Sequence, residues 1–331
     1  MEQLLSTGRE PFLDKYPFLR EAGSSFKDRD VTKMSDLIAT WDGQDIKGPA
    51  LIGVPLSKSS ISHSGASFAP GTIRQALKHS SAYSAELGEH VVSELLYDLG
   101  DIDIHVTDIV KSHHHIFQTM HALLSDHPDW VPLILGGDNS ISYSTIKAIA
   151  QTKGTTAVIQ FDAHHDVRNT EDGGPTNGTP FRRLLDEEII EGQHLIQLGI
   201  REFSNSQAYE AYAKKHNVNI HTMDMIREKG LIPTIKEILP VVQDKTDFIF
   251  ISVDMDVLDQ SHAPGCPAIG PGGLYTDELL EAVKYIAQQP NVAGIEIVEV
   301  DPTLDFRDMT SRAAAHVLLH ALKGMKLSPF K

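Results

Sequence analysis

A cluster of acids and imidazoles occurs in the segment VIQFDAHHDVRN, residues 158–169, directly after an apolar run that is typical of a buried strand. Such side chains can hold a metal ion or transfer a proton, and the segment offers five of them: Asp162, His164, His165, Asp166 and Asn169. In an extended chain, side chains at alternate positions share one face of the strand. This spacing predicts that Asp162, His164 and Asp166 converge, while Ala163 and His165 point away.

A second acidic segment, SVDMDVLD at residues 252–259, repeats the same spacing with Asp254 and Asp256. Carboxylates gathered in one pocket repel each other unless cations neutralise them or some hold protons. Oxygen and imidazole ligands without thiolate favour manganese or a similar divalent ion over copper or structural zinc. Two such ions about 3.5–4 Å apart can generate a hydroxide and polarise a substrate. The residues therefore predict a metal-dependent hydrolase, against the alternative that each aspartate only caps a helix or forms a turn.

The elements that must position these side chains alternate between short apolar runs and longer amphipathic ones. Seven amphipathic segments predict helices, and eight apolar segments predict strands at residues 48–55, 94–100, 131–137, 155–163, 194–200, 218–224, 247–254 and 292–300. Such alternation is typical of a mostly parallel sheet. The strand count leaves open whether the sheet is a closed eightfold barrel or an open doubly wound sheet. Both architectures place functional groups at the carboxyl ends of strands, where the acidic motifs lie.

Composition limits the partners and the compartment. The formal net charge of −16 disfavours binding to nucleic acid or to an anionic membrane surface. The single cysteine, Cys266, forms no intramolecular disulfide and fits a reducing compartment. Since no stretch reaches the roughly 18 apolar residues of a membrane span, we expect a cytoplasmic protein. No linker divides the chain, which predicts one domain over residues 1–331, with residues 1–14 as a ragged extension.

Four motifs together resemble a known family. GGDNS (136–140), DAHHD (162–166), SVDMDVLD (252–259) and GIEIVEVDP (294–302) are similar, in order and separation, to the signature blocks of the ureohydrolases, dimanganese enzymes that include arginase and agmatinase. GASFAPGTIR (65–74) resembles the family's early glycine-rich loop. The resemblance covers about residues 48–323. It implies a single α/β domain, a three-layer α/β/α fold with a mostly parallel eight-stranded sheet, and two Mn²⁺ ions per subunit.

The resemblance also assigns roles to individual positions. It implies that Asp162 and Asp254 bridge the two metals, and that Glu299 faces the amidine or guanidine of the substrate, whose paired donors suit a carboxylate. Asp166 is expected both to bind metal and to transfer a proton to the leaving amine. The full set of expected metal ligands is Asn139, Asp162, His164, Asp166, Asp254 and Asp256.

Two positions depart from the family pattern. Asn139 stands where the family has a histidine ligand to the first metal, and an amide oxygen is a weaker and harder donor than imidazole. We therefore expect the first metal to bind less tightly than the second and to be replaceable by Mg²⁺ or Ca²⁺. Asn177 stands where arginases carry a histidine thought to shuttle protons. A different leaving group would not need that histidine.

Cationic residues near the motifs indicate an anionic substrate. Arg168, two residues after Asp166, offers a bidentate fork for a carboxylate. Arg201 and Asn177 are further substrate-binding candidates. Arg182 and Arg183 are interpreted as surface cations. Segments 177–182, 199–205 and 263–274 resemble the formimidoylglutamase branch of the family.

That branch implies hydrolysis of N-formimidoyl-L-glutamate to L-glutamate and formamide, a step of histidine degradation, by an enzyme that forms a homo-oligomer. Two alternatives stay open. One is a guanidine hydrolase such as agmatinase or a guanidino-acid hydrolase. The other is a non-catalytic scaffold with the same fold, which the two asparagine departures would allow.

Overall fold

The computed structural model describes residues 28–328. Its centre is a sheet of nine strands in the order β1-β5-β2-β6-β11-β10-β7-β8-β9, and every neighbouring pair is parallel. The strands of this sheet are β1 (Ile38–Thr40), β2 (Gly48–Gly53), β5 (Leu96–Asp101), β6 (Trp130–Leu135), β7 (Thr156–Phe161), β8 (Leu195–Ile200), β9 (Asn219–Thr222), β10 (Phe248–Asp254) and β11 (Val292–Val298). Two further short strands, β3 (Tyr83–Ser84) and β4 (Glu89–His90), form an antiparallel hairpin.

Helices cover both faces of the sheet. They are α1 (Ala69–His79), α2 (Ile109–Asp126), α3 (Ile141–Lys153), α4 (Pro180–Asp186), α5 (Gln207–Lys215), α6 (Met223–Lys229), α7 (Leu231–Gln243), α8 (Thr276–Ala287) and α9 (Met309–Leu327). Strand alternation separates two hydrophobic cores: in β7, Ile159 and Phe161 pack in one core with α1 and α6–α9, while Val158 packs in the other with α2–α5. The architecture is therefore three-layered.

The predicted fold class is confirmed, with one correction to the strand number. All eight predicted strands are present, and the closed barrel is excluded because the nine strands form an open order with β1 and β9 at its ends among the described residues. The ninth strand, β1, was missed because its three residues, IAT, carry no recognisable alternation. The short helices α4 and α6 were also missed; each has seven residues, too few for a clear helical period.

Among the described residues, the contacts place residues 33–328 in one compact unit. The prediction of a single domain over the whole chain stays a prediction, and the extension expected at residues 1–14 lies outside the described residues. Within residues 28–328, no helix has both the length and the apolar character needed to cross a membrane.

The sheet order explains how motifs far apart in sequence meet. Strands β6, β11, β10 and β7 are consecutive neighbours in the sheet, and each of them is followed by one of the four motifs. Because the strands are parallel, their carboxyl ends lie at one edge. At the end of β6 the chain passes so close to Leu56 that a Cβ atom on Gly137 would lie 1.8 Å from the Leu56 carbonyl oxygen. Glycine at this position therefore lets Asp138 and Asn139 approach the same edge.

Candidate metal centre and active site

The acidic motifs converge through tight turns after the strands. β7 ends at Phe161, so the segment from Asp162 onward is a loop. In that loop the Asp162 carboxylate accepts the backbone N–H of His164 (2.6 Å), and at the last residue of β10 the Asp254 carboxylate accepts the N–H of Asp256 (2.9 Å). Each aspartate thus folds the chain back on itself within two residues. The predicted convergence is correct, but its predicted cause, strand alternation, is wrong.

Two groups of three side chains lie close enough to hold one metal ion each. The first contains Asp162, His164 and Asp256, the second contains Asp162, Asp166 and Asp254, and the possible ligand atoms of each group all lie within 4.8 Å of one another. Asp162 belongs to both groups, which is the position that a bridging carboxylate requires, whereas Asp254 belongs to one. Oxygen and imidazole donors without sulfur fit a fairly hard divalent ion.

Asn139 lies beside the second group. Its Nδ2 donates hydrogen bonds to Asp166 and, at 3.4 Å, to Asp162, while its Oδ1 accepts one from the Ser142 hydroxyl at 2.7 Å. Since a hydroxyl can also accept a hydrogen bond, a half-turn of the amide would direct the oxygen to a metal ion and the nitrogen to Ser142. The residue is placed where the family resemblance predicted a metal ligand.

Buried charge dominates the electrostatics of this centre. Burial, and next the charge of a neighbouring aspartate, raises the pKa of Asp162, Asp166 and Asp254. Burial opposes ionisation of Asp256 too, but His164 Nδ1 at 2.9 Å outweighs it and lowers the pKa of Asp256. The charge of Asp256 in turn raises the pKa of His164 to about 12. The cluster therefore needs bound cations or retained protons.

Glu299, at the end of β11, faces the same cavity. Its backbone has a positive φ of 62°, and its Oε1 accepts hydrogen bonds from the Asn139 backbone N–H (2.7 Å) and from Asn177 Nδ2 (3.2 Å). Burial, and next the charge of Asp138, raises the pKa of Glu299 to about 8. Burial likewise raises the pKa of Asp138 to about 6.

A cavity of about 360 Å³ opens above the acidic cluster and brings most predicted site residues together. Its walls combine the acids and Asn139 with Asn177, Arg168 and a group of residues that the sequence analysis did not assign to the site: Ile61, His165, Phe203, Asn205 and Tyr209. The side chain of Arg168 packs against Gly178, and its guanidinium lies 5.9 Å from the centre of the Tyr209 ring. The guanidinium makes no hydrogen bond or ion pair with any residue in the range 28–328, so this group is available to a ligand.

Other predicted residues lie elsewhere. Arg201 does not line the cavity; it is buried and donates to the carbonyl oxygens of Asp256, Val257, Leu258 and Gly270, so its expected contact with substrate is corrected. Arg182 pairs with Asp186 at 2.7 Å, and the Arg183 guanidinium stacks on Tyr143. Asn169 forms a turn with Glu171 and Asp172 outside the cavity.

Two of the missed residues, His165 and Phe203, lie in backbone that the residue types do not predict. His165 was expected to point away with Ala163, yet it lines the cavity because the chain after Phe161 is not extended. Asp166 and Phe203 adopt positive φ values of 50° and 61°, as Glu299 does, and all three line the cavity. Such conformations are costly for residues other than glycine and concentrate at functional sites. Nothing in the residue types signals them in advance.

Comparison with known proteins agrees with this geometry. Residues 47–323 match the sequence profile described as the Arginase family. Because the match covers well over half of the chain, the protein belongs to the arginase family.

Within that family the chain is similar to formimidoylglutamases. It is 56% identical over 309 residues to the formimidoylglutamase of Halalkalibacterium halodurans, and the aligned region covers 93% of this chain and 97% of that protein. It is 99% identical to the chain in the crystal structure of formimidoylglutamase from Bacillus subtilis, with a TM-score of 0.95 and coverage of 96% of this chain and 99% of that one. The structure of Trypanosoma cruzi formiminoglutamase with Mn²⁺ shares the fold, with 24% identity, a TM-score of 0.82 and coverage of 91% and 100%.

The raised pKa values of Asp138 and Glu299 predict that these two groups destabilise the metal-free protein as the pH rises from 5 to 8, so that Glu299→Gln gains stability relative to the wild type over this range. Asp138, with a pKa of about 6, and Glu299, with a pKa of about 8, keep protons in the folded state that the unfolded chain has already lost in this range. Each such group lowers the free energy of unfolding by about 1.4 kcal/mol per pH unit until its folded pKa is reached. Urea unfolding of chelator-treated protein at a series of pH values measures this slope.

The control for this experiment is Glu299→Gln, which cannot titrate and should show a shallower decline above pH 6. Added Mn²⁺ should raise the free energy of unfolding most at the higher pH values, where the carboxylates are ionised and free to bind the ion. A difference in the free energy of unfolding between Glu299→Gln and the wild type, both metal-free, that stays constant from pH 5 to 8 would contradict the prediction.

Proposed function

We propose that this protein hydrolyses N-formimidoyl-L-glutamate to L-glutamate and formamide, using two Mn²⁺ ions. The observation that carries the proposal is the composition of one cavity: two groups of possible metal ligands at its base, the carboxylate of Glu299 beside them, and in its wall the guanidinium of Arg168, which has no ion pair with residues 28–328. These three features match the formimidoyl carbon, the amidine nitrogens and a substrate carboxylate. The similarity to formimidoylglutamases supports the same assignment.

The two side-chain groups supply what a pair of divalent ions requires. We assign the ligands as Asn139, Asp162, His164, Asp166, Asp254 and Asp256, with Asp162 shared between the ions. Ions bound there would supply a hydroxide nucleophile near neutral pH and would polarise the amidine carbon. Manganese fits the oxygen and imidazole donors. The amide of Asn139 makes its ion the weaker of the two.

Glu299 binds the amidine end of the substrate in this proposal. Its Oε1 is already occupied by Asn139 and Asn177, so its second oxygen is free to accept an amidine N–H. A buried carboxyl with a raised pKa gains strongly from a cationic partner, because an amidinium supplies both the opposite charge and paired donors. Asn177 therefore acts by holding the Glu299 carboxylate in position.

Arg168 and Asp166 complete the assignment. Arg168 binds a carboxylate of the glutamate portion, since its guanidinium lines the cavity and makes no hydrogen bond or ion pair with residues 28–328. Asp166 transfers a proton to the nitrogen of the leaving amine, which gives L-glutamate as the second product. Its backbone is held in place by α4, where the N–H of Phe181 donates to the Asp166 carbonyl oxygen at 3.2 Å.

We infer that this reaction serves histidine degradation in the cytoplasm. The acidic net charge and the single buried Cys266 support a reducing compartment and a small-molecule partner. A homo-oligomer remains a prediction by analogy with the family.

The decisive assay compares two substrate classes on purified, Mn²⁺-loaded protein. Formamide release from N-formimidoyl-L-glutamate should exceed urea release from agmatine or arginine, because Arg168 favours an anionic substrate. Faster urea release would instead identify a guanidine hydrolase. Absence of turnover with every amidine and guanidine, in folded and metal-loaded protein, would favour the non-catalytic scaffold.

Metal content should depend on which aspartate is removed. Asp162→Asn should lose both ions after desalting, because Asp162 belongs to both ligand groups, whereas Asp166→Asn should lose mainly one. Elemental analysis of each folded variant measures the ratio of manganese to protein. Full occupancy in Asp162→Asn would show that the two groups do not share this carboxylate.

Substrate affinity should depend on Arg168. Arg168→Ala should raise the Michaelis constant far more than it lowers turnover, by roughly 10- to 150-fold, which corresponds to about 1.5–3 kcal/mol for a hydrogen bond to a charged group. Arg182→Ala is the matched control, since Arg182 pairs with Asp186 outside the cavity. An unchanged Michaelis constant in Arg168→Ala would remove this residue from the site.

A further inference from the structure

His165 is buried among the metal-binding loops and has one side open to the cavity. The residue is 2% exposed and lines the cavity, so its small remaining accessible surface faces the space where substrate binds. Its Nδ1 lies 2.7 Å from Gln197 Oε1. Its Nε2 has no hydrogen-bonding partner among residues 28–328. The chemistry of Nε2 therefore depends on which ring nitrogen carries the proton.

A buried chain of two glutamine amides determines the position of that proton. Gln160 Nε2 donates to the carbonyl oxygen of His164 (3.3 Å) and to Asp162 Oδ2 (2.8 Å). Gln197 Nε2 donates to the carbonyl oxygen of His165 (2.9 Å) and to Gln160 Oε1 (2.8 Å). A carbonyl oxygen can only accept, so each glutamine must direct its NH₂ group toward the carbonyl that it contacts. Both amide orientations are thus determined by the backbone.

The orientations of the two amides determine which ring nitrogen of His165 carries the proton. With its NH₂ group used in this way, Gln197 presents Oε1 to His165, and an oxygen that can only accept requires an N–H on Nδ1. The lone pair of the imidazole is then on Nε2, the nitrogen without a protein partner. Orientation of one ring nitrogen by the hydrogen bond of the other is a general property of histidine sites.

We propose that His165 contacts the substrate directly, with Nε2 accepting a hydrogen bond from an amidine N–H, and that Gln160 and Gln197 are positioning residues for it. This inference rests on the proposed function for the identity of the substrate. An acceptor at this position favours nitrogen donors and disfavours the substrate carboxylates, which Arg168 attracts. The two side chains therefore prefer different groups of the substrate, His165 its nitrogen donors and Arg168 its carboxylates.

Two substitutions separate contact with the substrate from a structural role in the amide chain. In His165→Asn the side-chain amide can replace Nδ1 and keep the bond to Gln197, but the acceptor in the cavity is lost. In His165→Gln the longer amide can place an oxygen near the position of Nε2, but the bond to Gln197 is lost. If Nε2 contacts substrate, His165→Asn should lower kcat/KM about tenfold, the typical effect of one hydrogen bond, and His165→Gln should be the more active variant.

The reverse order, with His165→Asn close to wild type and His165→Gln impaired, would overturn the proposal in favour of a structural role. Melting temperature and manganese content of both variants establish that each is folded and loaded, so the comparison is of kcat/KM between equally loaded enzymes.

A second experiment uses the unsubstituted holoenzyme and requires no turnover. Neutron diffraction from perdeuterated, metal-loaded crystals should show deuterium on Nδ1 of His165 and none on Nε2, with the NH₂ groups of Gln160 and Gln197 directed at the two backbone carbonyl oxygens. Deuterium on Nε2 would overturn the inference. If the wild-type protein does not hydrolyse the substrate, the proposed function is lost, and the neutron map alone then decides whether Nε2 is an acceptor.

Discussion

The mutual repulsion of buried carboxylates is the constraint on which the rest of the site depends. Asp162, Asp254 and Asp256 are almost completely buried, and Asp162 shares a possible ligand group with each of the others. Negative charges this close together in a buried site are unfavourable unless cations or protons neutralise them. The fold therefore has to supply enough stability elsewhere to hold an arrangement that favours cation binding.

That stability comes from the sheet, which sets the spacing of the acids, and contacts between the motifs, such as His164 Nδ1 to Asp256 at 2.9 Å, add to it. β7 and β10 are adjacent and in register, with Phe161 opposite Val253, so Asp162 and Asp254 follow at the same level. Their strand residues are buried on both faces between two helical layers, as parallel strands usually are. A rigid strand pair then determines the separation of the carboxylates, and tight turns within each motif direct the individual side chains.

The sequence predicted the long elements and the chemistry better than the local geometry. Apolar runs such as residues 155–163 reveal buried strands because the hydrophobic effect acts on every residue of the run, and acids at their ends reveal a metal centre. The orientation of His165 and the role of Arg201 could not be predicted, because they depend on the end of the extended strand at Phe161 and on carbonyl groups of a distant loop. Those features arise from tertiary packing, for which residue type and spacing carry no signal.

Neutral amides donate to Asp162, Asp166 and Glu299, and they preserve the negative charge that a metal requires. Asn139 donates to Asp162 and Asp166, Gln160 donates to Asp162, and Asn177 donates to Glu299. An arginine or lysine in any of these places would satisfy the same oxygens but would also cancel their charge and compete with a divalent ion. Arg201, which is buried behind Asp256, directs its guanidinium at backbone carbonyls instead. The amides thus hold the carboxylates in position while leaving their negative charge available.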